Sequence, residues 1–344
     1  VEEDQIVQYL ELAKKAGIDA VISISNEFVA NARCSPVSAP KRLTNRVQLF
    51  HWPWQMILTQ SELIEIDGAV DDVEQLFLLQ EYIRFLNHTS TGVLRFTQMN
   101  REWKDILRSI QAGGVLQATA PEVENTVSAW IEEQRDLCLL LSRHVGKTVH
   151  IRVDRKFRDD AVGRLRAEIA GFIQTACLDV TLRVPDAADD IKVCADSKSK
   201  SLKISMSVAA PTDRVSSKAR LNWLLRMLRG SDDNLFIRAS WPYKTSDTQC
   251  ALSDLRYNPD LILPDNKSLS PKGFSIVLSQ DLGQRFSGSR TFIEDVESLS
   301  LHFYDSVGQY VKAWQPPPPK PVVKTQEENQ EGNALAGAAS ELVE

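Results

Sequence analysis

The stretch DQIVQYLELAKKAGIDAVISISNEF, from Asp4 to Phe28, constrains this chain more than any other. Ile6, Leu10 and Ala13 share one face of a helix read over Glu2 to Ala16, and Gly17 stands where that helix must stop. Ala20 to Ser25 follows as a nearly unbroken apolar run. A helix feeding a buried strand is a unit of α/β folds, and a strand such as AVISIS is usually central to its sheet. Nothing precedes the helix to pair with it. Val1 is not a methionine, so the expectation is that the native start lies upstream.

The 344 residues suffice for two domains, or for one with a large elaboration. At 43% hydrophobic and 25% charged, the chain is expected to bury a sizeable core. A formal charge of −6 gives no global attraction for nucleic acid or anionic membrane, so any such binding must come from a local patch. Cys34, Cys138, Cys177, Cys194 and Cys250 are odd in number and lack C-x-x-C spacing, which reads as free thiols in a cytoplasmic protein. No run has the length of a membrane span, and no signal peptide is visible.

The pattern gives a mixed α/β chain in four parts. Residues 1–95 form an α/β portion, with a strand at Val47 to Phe50 and helices at Trp54 to Glu65 and Asp71 to Phe85. Residues 96–146 read as a helical connector, whose clearest helix begins after Pro121. Residues 147–314 read as a second α/β domain. Its strands are expected at Thr148 to Val153, Val180 to Val184, Ile191 to Ala195, Leu202 to Val208, Leu235 to Ser240 and Phe274 to Leu278. Its helices are expected at Asp159 to Ile173, Lys218 to Arg229 and Thr291 to Trp314. Residues 315–344 begin with PPPPKP and continue as a polar tail expected to be disordered, a spacer or a docking segment for a protein partner.

Within the first helix, Gln5-Ile6-Val7-Gln8-Tyr9 fits the pattern Q-h-x-x-Y, with Gln5 and Tyr9 one turn apart on the same face. This resembles the helix of RecB-like members of the PD-(D/E)XK nuclease superfamily, and AVISISNEF resembles the strand that follows it there. The resemblance covers about thirty residues, or about sixty with VQLF. It implies a partial restriction-endonuclease-like core in a DNA-processing or defence protein, DNA as partner, and Mg2+-assisted phosphodiester hydrolysis in an intact version. Gln5 and Tyr9 would be supporting contacts. The family's acidic residue and E-x-K strand lie upstream of this helix, where only four residues stand, so the chain as written is expected not to cleave by itself. The alternative is a non-catalytic nucleic-acid-binding or protein-interaction scaffold.

Other acid patterns fail on geometry. Asp186 and Asp196-Ser197-Lys198 satisfy PD-x(n)-D-x-K as a string, but a strand between the two acids would hold them roughly 15 Å apart. Glu102-Trp103-Lys104 sits in a helical pattern, where alternate residues diverge. His51, His88, His144, His150 and His302 show no metal-ligand spacing. HWPW, from His51 to Trp54, reads as a stacking platform or as packing under the next helix. Asn26 and Glu27 follow the AVISIS strand, where ligands often meet open sheets; Glu27 reads as a side approach to a metal site or as a solvated residue.

The densest basic run is TDRVSSKARLNWLLRMLRG, with five cations (Arg214, Lys218, Arg220, Arg226, Arg229) against Asp213. On a helix, Leu221, Leu224, Leu225 and Leu228 form one stripe and Lys218, Asn222, Arg226 and Arg229 the next. Lys218, Arg220, Arg226 and Arg229 are therefore candidate phosphate contacts, or a solvated face beside a core stripe. Lys41, Arg42 and Arg46 are a second, sparser basic candidate.

Overall fold

The computed structural model describes residues 2–29, 35–232, 234–266 and 268–316. Cys34 and the tail beyond Pro316 fall outside the described residues. Residues up to Trp314 form one compact unit.

The amino-terminal part runs α1 (Glu3–Ala16), β1 (Ala20–Ser25), a short α2 (Lys41–Thr44) where the sequence reads as loop, β2 (Gln48–Pro53), α3 (Trp54–Ile66) and α4 (Val73–Asn87). A capping box between Glu2 and Gln5 starts α1, and Gly17 ends it in the left-handed conformation at φ 70°. β1 and β2 pair in parallel, with Ile22 opposite Phe50 and Ser23 opposite His51. Ile6, Leu10 and Ala13 of α1 pack with Leu43, Val47 and Leu49 into a small core on one side of this two-stranded sheet.

The chain continues through α5 (Trp103–Gln111), α6 (Pro121–Val145), β3 (His150–Ile151), α7 (Ala161–Thr175), β4 (Cys177–Arg183), β5 (Ile191–Asp196), β6 (Ser201–Ala209) and α8 (Ser217–Met227). It closes with β7 (Leu235–Ser240), β8 (Thr248–Ala251), α9 (Leu252–Tyr257), β9 (Gly273–Asp281), α10 (Gln284–Ser287) and α11 (Ser289–Phe303). β3 to β9 make one antiparallel sheet in the order β3-β4-β5-β6-β9-β7-β8. Its register sets Val180, Val193, Ile204, Leu278 and Leu235 across one face, all buried. The opposite face carries Asp179, Lys192, Lys203 and Arg238 to solvent. This period-2 alternation is what a sheet covered on one side requires.

The expected mix of helix and sheet is present. Residues 96–146, expected as a connector, share a single core with the sheet that follows them. Trp103 is fully buried, its ring 4.8 Å from Phe292 and 5.6 Å from Phe286, and its Nε1–H donates to the Phe286 carbonyl at 3.0 Å. The strand expected over Thr148 to Val153 is reduced to two residues. The last helix was expected to reach Trp314 but leaves α geometry at Phe303. Tyr304–Gly308 makes one wider turn, where a Cβ on Gly308 would stand 2.7 Å from the Tyr304 ring.

Trp103→Ala is expected to lower unfolding free energy by about 3–5 kcal/mol. Denaturant titration by fluorescence and circular dichroism checks this, and a loss below about 1 kcal/mol would mean that α5 is not part of the shared core.

Candidate functional site

The amino-terminal sheet places both residues of the Q-h-x-x-Y pattern on the solvent side of α1. Gln5 is exposed and its Oε1 accepts from the Glu2 N–H at 3.4 Å; Tyr9 is 55% exposed. β1 pairs with β2 on one side, and its other edge is open among the described residues. Strand alternation puts Ile22, Ile24, Phe50 and Trp52 on the face away from α1. Ile22 is 46% exposed and the other three are half-buried. Parallel strands are normally covered on both faces; among the described residues this face is only partly covered and one edge is open.

His51 locks the two strands together. Its Nε2–H donates to the Glu27 carbonyl at 3.0 Å, which leaves Nδ1 to accept from the Ser23 hydroxyl at 2.9 Å. Burial pulls its pKa below the ordinary value, against the opposing pull of the Glu27 carbonyl and carboxylate. Asn26, at the end of β1, donates to the Gly92 carbonyl at 2.7 Å and accepts from the Leu94 N–H at 3.0 Å. It thereby pins the segment that delivers Arg95. Glu27 is exposed, and with burial its charge pushes the Glu132 carboxyl up to about 7.

Of the basic helix, Lys218, Arg226 and Arg229 are exposed, beside the buried Leu221, Leu224 and Leu228. Arg220 is committed elsewhere: its Nε–H donates to the Arg214 carbonyl and Nη1 to the Pro271 carbonyl, each at 2.7 Å. Lys41, Arg42 and Arg46 are exposed on and just after α2.

A larger basic feature lies elsewhere. A groove of about 760 Å³ is lined by Arg135, Arg152, Arg155, Arg158, Arg164 and Arg183. Against Asp154, the one acid in its lining, the six guanidiniums leave +5; counting the adjoining Asp190 and Glu168 as well leaves +3. Asp190 holds Arg152 at 2.9 Å and Arg183 at 3.4 Å, and Glu168 holds Arg164 at 2.7 Å. Arg155 and Arg158 are exposed, and neither forms an ion pair among the described residues. IRVDRKFR carries part of this signal in the sequence. Arg135, Arg164 and Arg183 join it only because α6, α7 and β4 meet there.

The third feature is acidic and buried. Glu133 and Asp136, one turn apart on α6, face Glu297 of α11, with one ligand atom from each within 4.8 Å of the others. Arg95 donates from Nη2 to Asp136 Oδ2 at 3.1 Å and to Glu297 Oε1 at 2.7 Å. Burial, with the charges of Glu297 and Asp136, drives the Glu133 carboxyl far above the ordinary range; burial raises Glu297 to about 7. Nothing in the sequence marks these acids, because ExxD on a helix is common on solvated faces.

With this geometry in view, comparison with protein-family models, with curated proteins and with solved structures finds no match. Among the described residues, the acids that could hold a metal ion lie on α6 and α11.

Two outcomes are expected. A histidine held below its unfolded pKa adds stability that is complete above about pH 6.5 and lost as pH falls toward its folded value, because the unfolded chain takes the proton first. His51→Gln should flatten that limb of the stability–pH curve in chemical denaturation; an unchanged slope would show that His51 is not the titrating group. Arg95→Met strands the buried Asp136 and should cost about 3–5 kcal/mol at neutral pH. The same assay reads it.

Proposed function

We propose that this protein engages the phosphate backbone of nucleic acid through the arginine groove, as part of a nuclease-like DNA-processing protein. The observation that carries the reading is the groove: six guanidiniums gathered from α6, the turn after β3, α7 and β4, on a chain of net charge −6. Such a concentration stands against the average field of the molecule, and planar forked donors match phosphate oxygens. Arg155 and Arg158 offer uncommitted donors, while the paired arginines hold the rim in shape. Phosphate contacts of this kind position a strand without reading its bases.

The edge of β1, open among the described residues, supports the nuclease half of the proposal. A further parallel strand beside β1, joined to it by a right-handed crossover through α1, would close that edge. Hydrolysis would belong to acids on that added strand, from this polypeptide or from a partner. A version of the protein carrying such a strand, compared with one whose strand acid is replaced, tests that half; equal Mg2+-dependent cleavage by both would remove it.

The binding half is tested by fluorescence anisotropy with labelled single- and double-stranded DNA across a salt series. Arg155→Ala with Arg158→Ala is expected to weaken binding and to lower the slope of log K against log salt by about 1.4–1.8 for two lost phosphate contacts. Neutralising Lys218, Arg226 and Arg229 in the same assay separates the two basic surfaces. If only that triple variant changes the slope, α8 is the interface and the groove is not.

A further inference from the structure

Three buried carboxylate oxygens without a donor need an account. Among the described residues, Glu133 Oε1, Glu133 Oε2 and Asp136 Oδ1 have no hydrogen-bond partner, and both residues are wholly buried. Unpaired buried charge is among the most expensive features a fold can carry. Arg95 does not relieve it. Its Nη2 takes Asp136 Oδ2 and Glu297 Oε1, so it grips two of the carboxylates by one oxygen each. Ionised together, the three carboxylates outnumber the guanidiniums of Arg95 and the nearby Arg143 by one charge, with Glu133 and Asp136 closed to water.

We propose that Glu133, Asp136 and Glu297 bind a hard divalent cation between α6 and α11, with Arg95 as the positioning residue that orients two of the three carboxylates. A +2 ion offsets the excess negative charge and gives the unpaired Glu133 carboxylate a partner. An all-carboxylate donor set favours Ca2+, Mg2+ or Mn2+ over softer metals. Oxygens on opposite sides of Ca2+ stand about 4.6–5.2 Å apart, so ligand atoms within 4.8 Å of one another suit it as placed. Mg2+ asks for a slightly tighter ring. The ion would clamp α11 to α6, the two helices whose aromatic side chains Trp130 and Phe292 lie 6.2 Å apart. This site is separate from the arginine groove and does not depend on the nucleic-acid reading.

A proton shared between Glu133 and Asp136 is the competing occupant, and it predicts the opposite behaviour. The test uses the full chain stripped with EDTA and returned to millimolar CaCl2, MgCl2 or MnCl2. Thermal unfolding is followed by circular dichroism, and Mn2+ binding by loss of the free-ion paramagnetic resonance signal. The expected result is a Tm rise of about 5 °C with Ca2+ or Mn2+ and stoichiometric loss of the free Mn2+ signal. Glu133→Gln and Glu297→Gln should each abolish both effects, and Arg95→Lys should weaken Mn2+ binding about 10- to 100-fold. Glu297 is the least buried of the three, so its variant keeps the test open should Glu133→Gln fail to fold. The proposal falls if no cation shifts Tm and Mn2+ stays free. It falls equally if Glu297→Gln keeps the wild-type shift, or if metal-free Glu133→Gln is as stable as the loaded wild-type protein.

Discussion

A 25-residue helix buried on most of its circumference has to find partners for its charged residues, and α6 is organised around that need. Its apolar positions, among them Val123, Val127, Trp130 and Leu137, join the core of the antiparallel sheet. Thr126, Glu133, Gln134, Asp136 and Ser142 are buried too, so each demands an answer. Trp130 Nε1–H and Gln134 Nε2–H both donate to the Asp179 carbonyl, at 3.1 and 3.3 Å. Near its far end, Arg143 donates to Gln55 at 2.8 Å and to Thr59 at 2.9 Å on α3. Breaking any of these would leave a buried group unmatched, which costs more than forming the bond contributes.

This is why the amino-terminal sheet and the carboxy-terminal sheet belong to one compact unit although their apolar cores are separate. The coupling between them is polar. Asn26 fixes the segment after Gly92, that segment carries Arg95, and Arg95 reaches Asp136 on α6 and Glu297 on α11. Salt links at a largely buried junction depend on geometry in a way that apolar contacts do not, so the junction specifies one arrangement of the elements around it. The burial that strengthens the Arg95–Asp136 contact makes the unmatched oxygens of Glu133 costly.

The two charged features are complementary in kind. The arginine groove is open to solvent, and among the described residues Arg155 and Arg158 form no ion pair. The acidic group is largely buried and ties α6 to α11 through Arg95. Placing both on α6, which contributes Arg135 to one and Glu133 with Asp136 to the other, puts opposite potentials on different faces of the same rod.

Much of the secondary structure was legible because local signals agreed with tertiary ones. Leu235–Ser240 is the strand its alternation describes; α6 begins at Pro121, and Gly17 ends α1. Where local signals were thin, the reading failed. Thr248–Ala251 is a four-residue edge strand without a usable period, Leu252–Tyr257 is too short to show one, and the wider turn at Tyr304–Gly308 that ends α11 is encoded by no period. The leucine stripe of α8 was readable from spacing, but the engagement of Arg220 with the Pro271 carbonyl was not, since its partner lies 51 positions away. By itself, then, the sequence determined which segments are helix or strand and which face of each is apolar, because periodicity and capping act over a few residues. Only the tertiary structure decided that six arginines share one groove and that three acids share one buried point, because electrostatic neighbours are set by which elements pack together, and that distance is invisible along the chain.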